Sequence, residues 1–406
     1  MMLAEKTKCC GCAVCVDVCP NNFISMEKDG EGFLYPVIDD SKCLNCGLCK
    51  SKCPVLSNEI EKEKIIPEAY GIKAKDTELR LASSSGGMFS IIANHVLSEG
   101  GIVCGAAMAN DCKSVEHILV DKQEDLYKLR GSKYVQSKIG NTYRKLESEL
   151  KKGRKVLFSG TPCQVSGFRS FLGKDYDNLL LVEVICHGVP SPDLWVKYID
   201  DRERKTKAQI VKVDFRHKKR GWTVFGSRLE NSQRKVLYST LREDPYLLMF
   251  LGDYCLRPSC YSCNFKGFKV KTDFTLGDFW GIQSVVPEFF DDKGVSLVLV
   301  HSEKAKTLFK KLANLLDFVK VDCMTALKHN IVMIQSVKKP VERDKFFEDM
   351  NKMDFDCLTK KYASVRFKQK LINRLEMYGL LDPARKLAKA VRPLLSKFKR
   401  AVCGKR

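Results

Sequence analysis

A chain of 406 residues exceeds an ordinary single domain and can bury a substantial core, while a net charge of +21 sets it far from neutrality. No apolar run approaches the roughly eighteen residues that span a bilayer, and residues 1–12 are polar and cysteine-bearing, without the apolar segment of a secretory signal. A cytoplasmic protein with reduced thiolates is therefore expected, in preference to a disulfide framework built from the 19 cysteines.

The strongest signal opens the chain. Cys9, Cys12, Cys15 and Cys19 followed by Pro20 form C-x2-C-x2-C-x3-C-P, and Cys43, Cys46, Cys49 and Cys53 followed by Pro54 repeat it unchanged. A short loop with a ligand every third residue wraps three corners of an iron-sulfur cubane, and the fourth cysteine reaches the other cluster. The spacing predicts two 4Fe-4S clusters with crossed ligand sets: Cys9, Cys12, Cys15 and Cys53 for one, Cys43, Cys46, Cys49 and Cys19 for the other. Zinc also accepts four cysteines, but its sites usually pair two short hooks across a longer gap. Cys10 is spare and reads as a free thiol. Residues 23–27 and 32–38 read as short strands about the turn at 28–31, and residues 58–64, where charge rises and the pattern lapses, as a linker.

Farther on, Ser83-Ser84-Ser85-Gly86-Gly87 opens an amphipathic helical pattern within residues 81–97. A helix N-terminus of this kind favours a phosphate or pyrophosphate, though on local evidence alone a plain helix cap is the simpler reading of the same residues. Strand-like runs recur at 101–107, 156–159, 179–185, 274–276 and 295–300, some separated by helical patterns at 138–151 and 302–316, which argues for an α/β core. Two of these runs end at Cys163 and at Cys186-His187, and strand ends are where sites form in open α/β sheets. With Cys260 and Cys263 they make four thiolates, enough for a third cubane or for a zinc ion, and Cys255 competes for a place in the set. Cys104, Cys112, Cys323, Cys357 and Cys403 lack partners at ligand spacing and read as small hydrophobes or free thiols.

Taken together, these residues resemble the coenzyme F420 hydrogenase/dehydrogenase beta-subunit family in the form that carries an N-terminal two-cluster ferredoxin domain. The marks are Ser84-Ser85-Gly86-Gly87, Gly131 to Ser137, Gly160-Thr161-Pro162-Cys163-Gln164, Cys186-His187-Gly188-Val189-Pro190, Phe215-Arg216 with Gly221-Trp222, Cys260-Tyr261-Ser262-Cys263 and Gly277-Asp278-Phe279-Trp280-Gly281. The resemblance implies a flavoprotein in which FAD lies close to a cluster, so that single electrons from the clusters meet two-electron chemistry at the flavin. It places the FAD against Ser84, Ser85, Gly86 and Gly87 and against Gly131, Ser132, Lys133 and Tyr134, with Gly160, Thr161, Pro162 and Gln164 beside it and Cys163 as a cluster ligand. On this reading Lys133 neutralises a flavin phosphate or the reduced flavin. His187 is open to two readings, a proton donor or a structural hydrogen-bonding group, and Asp278 and Trp280 shape the site or close a turn. Bacterial relatives of this architecture are associated with surface polysaccharide synthesis, which points to a sugar or cell-envelope metabolite as the substrate.

The expected fold is α+β: a bacterial dicluster ferredoxin-type module over residues 1–57, an α/β flavin-binding domain of the F420 hydrogenase beta-subunit type over 65–355, and a basic helical tail over 361–406. The tail carries eight Lys and six Arg against Glu376 and Asp382, a net +12. Residues 367–377 and 384–398 read as helices. The second is basic and amphipathic, suited to the anionic inner face of a membrane, to an acidic protein, or to packing on the main domain. No nucleic-acid reader motif accompanies the charge. Two functions fit: an iron-sulfur flavoenzyme exchanging electrons with a ferredoxin or with a deazaflavin or nicotinamide donor, and a non-catalytic ferredoxin-type carrier.

Overall fold

The computed structural model describes residues 3–57 and 66–364. The linker expected at 58–64 and both tail helices lie outside the described residues.

The N-terminal module is a short helix, Val14–Val18, a hairpin of β1 (Ile24–Lys28) and β2 (Leu34–Ile38), and a second short helix, Leu48–Ser51. The turn joining the strands is held by Asp29, whose Oδ1 accepts from the backbone N–H of Glu31 and of Phe33, both at 3.0 Å. A small apolar core of Leu3, Ile24 and Ile38 closes over Cys15 and Cys53.

The main body is a nine-stranded sheet formed by β3 (Glu68–Ala74), β4 (Ile102–Met108), β5 (Val115–Val120), β6 (Ser137–Lys138), β7 (Val156–Gly160), β8 (Leu179–Val184), β12 (Phe274–Asp278), β13 (Ser296–Val300) and β14 (Leu316–Val321). Its spatial order is β14-β3-β13-β12-β8-β7-β4-β5-β6. The centre, β12-β8-β7-β4, is parallel, and antiparallel strands extend it on both sides. The parallel strand β7, Val-Leu-Phe-Ser-Gly, is buried throughout, as a strand covered on both faces must be. A separate antiparallel sheet, β11-β10-β9, consists of β9 (Ile210–His217), β10 (Gly226–Asn231) and β11 (Val236–Thr240).

All five strand-like runs of the middle region are strands. The helical pattern at 302–316 is realised as a helix over Glu303–Leu312. After a single tight turn the chain pairs as β14 against β3, because Leu316 is needed inside the sheet core. Helices Arg343–Lys352 and Phe355–Tyr362 bury Phe346, Phe355 and Leu358 in the core around Trp195, so packing continues past residue 355.

The module is not a loose appendage. Cys10, Cys12, Ala13 and Val14 share an apolar cluster with Phe158, Phe168 and Tyr143 of the main body. Arg144 donates from Nε to Asp17 O at 2.6 Å and from Nη2 to Cys19 O at 2.5 Å, tying down the end of the first helix. Arg343 grips the hairpin turn through Glu31, with contacts of 2.6 and 2.8 Å.

Candidate functional site

The eight N-terminal cysteines surround two separate voids. Cys9, Cys12, Cys15 and Cys53 line one, and Cys19, Cys43, Cys46 and Cys49 line the other. The helix Val14–Val18 produces this crossing, since it carries the chain from Cys15 in the first void to Cys19 in the second. Burial, followed by the proximity of Cys9, Cys53 and Cys49, pushes the Cys15 thiol up to about 12. Four such groups can ionise together only around a cationic core, which is the chemistry of thiolate ligation.

A third set assembles at the C-terminal ends of the central strands. Cys163 sits in the first turn of helix Pro162–Leu172, directly after β7, and Cys186 follows β8. Cys260 comes from the tight turn Pro258–Ser262 and Cys263 directly follows it. All four line one void, together with Cys10 and Lys266. Backbone and side-chain donors already face this set: the Val189 N–H reaches Cys260 Sγ at 3.4 Å, and Thr161 Oγ1 lies 3.2 Å from Cys163 Sγ. Cys255 is fully buried elsewhere, in the core with Tyr246 and Leu256, and does not line the void. Among the described residues no three metal-binding side chains converge as a single ion would require; the cysteines enclose space instead.

Beside this third set opens a cavity of about 660 Å³, within the range of cofactor sites. Cys163 and Cys186 belong to its wall as well, so the two spaces share residues. One end is polar. Ser84 Oγ accepts from the Ser132 N–H at 2.7 Å, bringing the Ser/Gly loop against the 131–134 segment. Helix Met88–Ser98 points its N-terminus at that end, and Arg130, donating from Nε to Ser90 Oγ at 3.1 Å, adds a positive charge. An adjoining wall is aromatic: Trp280 stacks on Trp222 at 4.9 Å, and the Arg216 guanidinium lies 3.7 Å from the centre of the Phe225 ring while its Nη2 donates to Ser84 O at 3.4 Å. Asp278 Oδ1 accepts from Arg216 Nη2 and from Trp222 Nε1, each at 2.6 Å, locking that wall.

Of the residues expected around a cofactor, Ser84, Ser85, Gly87, Gly131, Ser132, Lys133, Tyr134, Gly160, Thr161 and Gln164 line this cavity. Gly86 and Pro162 do not. A Cβ on Gly86 would meet Ile72 O at 2.0 Å, so its lack of a side chain serves close packing on the sheet, not a ligand. Pro162 lines the third cysteine void instead. Lys133 Nζ is turned to the carbonyls of Lys128 and Arg130, both at 3.0 Å, and burial pushes its ammonium down to about 7. His187 lines the cavity with Nε2 2.6 Å from Asp253 Oδ1.

Two contributors escape a reading by motif. His117, on β5, faces the cavity with burial holding its imidazole down to about 4, so it is neutral. Its Nε2 lies 3.1 Å from Ser159 O, which can only accept, leaving Nδ1 as an acceptor. Arg130 carries no motif of its own; only its position one residue before Gly131 could have flagged it.

Crossed cysteine sets in a small module, docked on an α/β body that holds a third set beside a large cavity, define an iron-sulfur electron-transfer protein. Residues 8–56 match the 4Fe-4S dicluster domain; residues 69–142 and 153–323 match, respectively, the N-terminal and C-terminal parts of the coenzyme F420 hydrogenase/dehydrogenase beta subunit. The chain belongs to that beta-subunit family, in the form with an N-terminal dicluster domain. An uncharacterized protein of Methanocaldococcus jannaschii is 23% identical over 379 residues, 84% of this chain and 96% of that protein. The coenzyme F420-dependent sulfite reductase of the same organism is 27% identical over 170 residues, 41% of this chain but 26% of that enzyme. Among solved structures, the F420-reducing [NiFe] hydrogenase complex from Methanosarcina barkeri aligns with a TM-score of 0.44 and 16% identity, covering 74% of this chain and 94% of the matched chain. No helix among the described residues is long and apolar enough to cross a membrane.

Proposed function

We propose that this chain is an iron-sulfur flavoenzyme that moves electrons between 4Fe-4S clusters and a two-electron carrier or substrate. One cluster is held by Cys9, Cys12, Cys15 and Cys53, a second by Cys19, Cys43, Cys46 and Cys49, and a third by Cys163, Cys186, Cys260 and Cys263. The large cavity takes FAD. The residues present fit it: the diphosphate would meet the helix N-terminus, Ser84, Ser132 and Arg130, and the ring system would reach toward Cys163 and Cys186. FAD supplies a group that accepts electrons singly or in pairs. The chain's own residues hold it, with Asp278 and Arg216 fixing the aromatic wall and neutral His117 offering a hydrogen-bond acceptor.

The observation that carries this reading is the shared wall. Cys163 and Cys186 line both the cofactor-sized cavity and the void of the third cysteine set. A carrier with no catalytic cavity would have no use for that adjacency. Relatives named for F420 make a deazaflavin the favoured soluble partner, with a nicotinamide or ferredoxin as alternatives and a cell-envelope sugar as the substrate class. Residues 361–406 would dock an anionic membrane face, tested by cosedimentation with anionic vesicles before and after their removal.

Anaerobic purification tests the central claim. A flavin absorption spectrum with about twelve irons per chain is expected. Iron without flavin would return the protein to the carrier class, and about eight irons with zinc would make the third set structural.

A further inference from the structure

Four arginines are almost fully buried among the described residues. Three have a carboxylate: Arg80 with Asp291 at 2.8 Å, Arg216 with Asp278 at 2.6 Å, and Arg343 with Glu31 at 2.6 Å. Arg257, at 0% exposure, is the exception. Its guanidinium donates to neutral acceptors, Cys9 O at 2.7 Å, Leu34 O at 3.0 Å and Gln136 Oε1 at 3.1 Å, and its face lies 4.1 Å from the centre of the Tyr35 ring. No carboxylate pairs with it among the described residues. It also lies 5.5 Å from the centre of the Phe33 ring, and it reaches one sulfur, Nη2 to Cys9 Sγ at 3.6 Å.

A buried guanidinium without an anion is strongly unfavourable, so the working protein must supply one beside it. The anion its surroundings offer is a thiolate-ligated cluster touching Cys9. We infer that Arg257 is the built-in counter-ion of the cluster held by Cys9, Cys12, Cys15 and Cys53, and that it sets that cluster's reduction potential above the potential of the same cluster without it. This rests on the ligand assignment proposed above. Such a cluster is negatively charged, and one unit more so after it gains an electron. A fixed cation against one ligand sulfur therefore stabilises the reduced form more than the oxidised form, raising the potential. Arg257 is also placed to favour transfer across the protein. It immediately precedes the turn Pro258–Ser262 that carries Cys260. Through Gln136, a residue of the cavity wall, it reaches the flavin side as well. Arg257 thus acts through the cluster as a positioning residue.

The test is an anaerobic redox titration of the full chain followed by electron paramagnetic resonance, on the wild type, Arg257→Met and Gln136→Glu. The second variant keeps the size, gives up the Gln136 Nε2 donation to Cys10 O at 3.2 Å, and gives the guanidinium a protein carboxylate that competes with the cluster for its charge. Both should lower one cluster midpoint by about a tenfold change in reduced fraction, about 60 mV for one electron. The step from the cluster at Cys19, Cys43, Cys46 and Cys49, which Arg257 does not touch, should stay in place. Unchanged midpoints in either variant with its clusters intact overturn the inference, as does an equal shift of every step. Should Arg257→Met fail to retain iron, Gln136→Glu decides alone. The iron count of the wild type tests the ligand assignment separately: too little iron there removes the assignment, whereas full iron with unmoved midpoints removes only Arg257.

Discussion

The backbone of Gly167 lies so close to Cys12 that a Cβ at that position would come 3.0 Å from the Cys12 Cβ and 3.2 Å from its Sγ. Gly167 is in the middle of the helix Pro162–Leu172, which carries Cys163 in its first turn, so one helix touches both the module's first cysteine set and the third set. Gly167→Ala demands a small adjustment of Cys12, whereas Gly167→Val must push the module away. We expect the alanine variant to keep its full iron, and the valine variant to lose the first cluster, about four irons. Iron analysis with electron paramagnetic resonance checks this, and a valine variant with full iron and unaltered spectra would refute the close-contact argument.

Cys260→Ser separates the third set from the others. The serine hydroxyl is a poor substitute for a thiolate, and Cys260 Sγ is already the acceptor for the Val189 N–H. The expected outcome is loss of about four irons, retention of both N-terminal clusters, and a flavin that can no longer be oxidised through them. A spectrum showing three intact clusters would reject Cys260 as a ligand.

The cysteine chemistry is legible in the sequence because ligand spacing is local: three hooks and a proline-tagged fourth cysteine occupy eleven residues, and even the crossing of the sets follows from that spacing. The central strands are equally legible, since β7 and β13 are buried throughout and β8 is buried as far as Glu183, and all three read as mostly apolar runs. Edge and half-exposed strands are not. In β9, Ile-Val-Lys-Val-Asp-Phe-Arg-His, charged residues interrupt the apolar positions, and β14 carries exposed Asp317 and Phe318. The cavity was legible only through resemblance, and there the motifs blurred two jobs. Gly86 belongs to a cofactor-like string but serves sheet packing, while Arg130 and His117 line the site without any local signature. Arg257 was invisible for the same reason, because what distinguishes it is a missing partner in three dimensions.

Asp278 holds the aromatic wall of the cavity by accepting from both Arg216 and Trp222. Asp278→Asn keeps the shape but leaves Arg216, which is 4% exposed, without its anion. Breaking a buried pair from one side costs about 3 to 5 kcal/mol, part of which the amide oxygen offsets as a neutral acceptor. We expect a loss near the lower end of that range, read by chemical denaturation, together with weaker flavin retention on gel filtration. Wild-type stability and flavin content in this variant would show that the wall is held by stacking alone.

Glu183 provides a pH test that is independent of the clusters. It is buried on β8, its Oε1 accepts from Thr275 Oγ1 at 2.7 Å, and Oε2 has no partner among the described residues. Burial pushes its carboxyl up from the ordinary 4.5 to about 8. The folded chain therefore keeps this proton to about pH 8, whereas the unfolded chain gives it up above about pH 4.5. Between those limits the unfolded state binds fewer protons, so stability falls as pH rises, by about 1.4 kcal/mol per pH unit, and levels off once the folded group also ionises. Glu183→Gln removes the ionisation while keeping the size. Its denaturation midpoint should lose this component of the pH dependence, leaving the variant more stable than the wild type at the upper end of the window. Parallel pH profiles for the two proteins would mean that Glu183 is already ionised in the folded state.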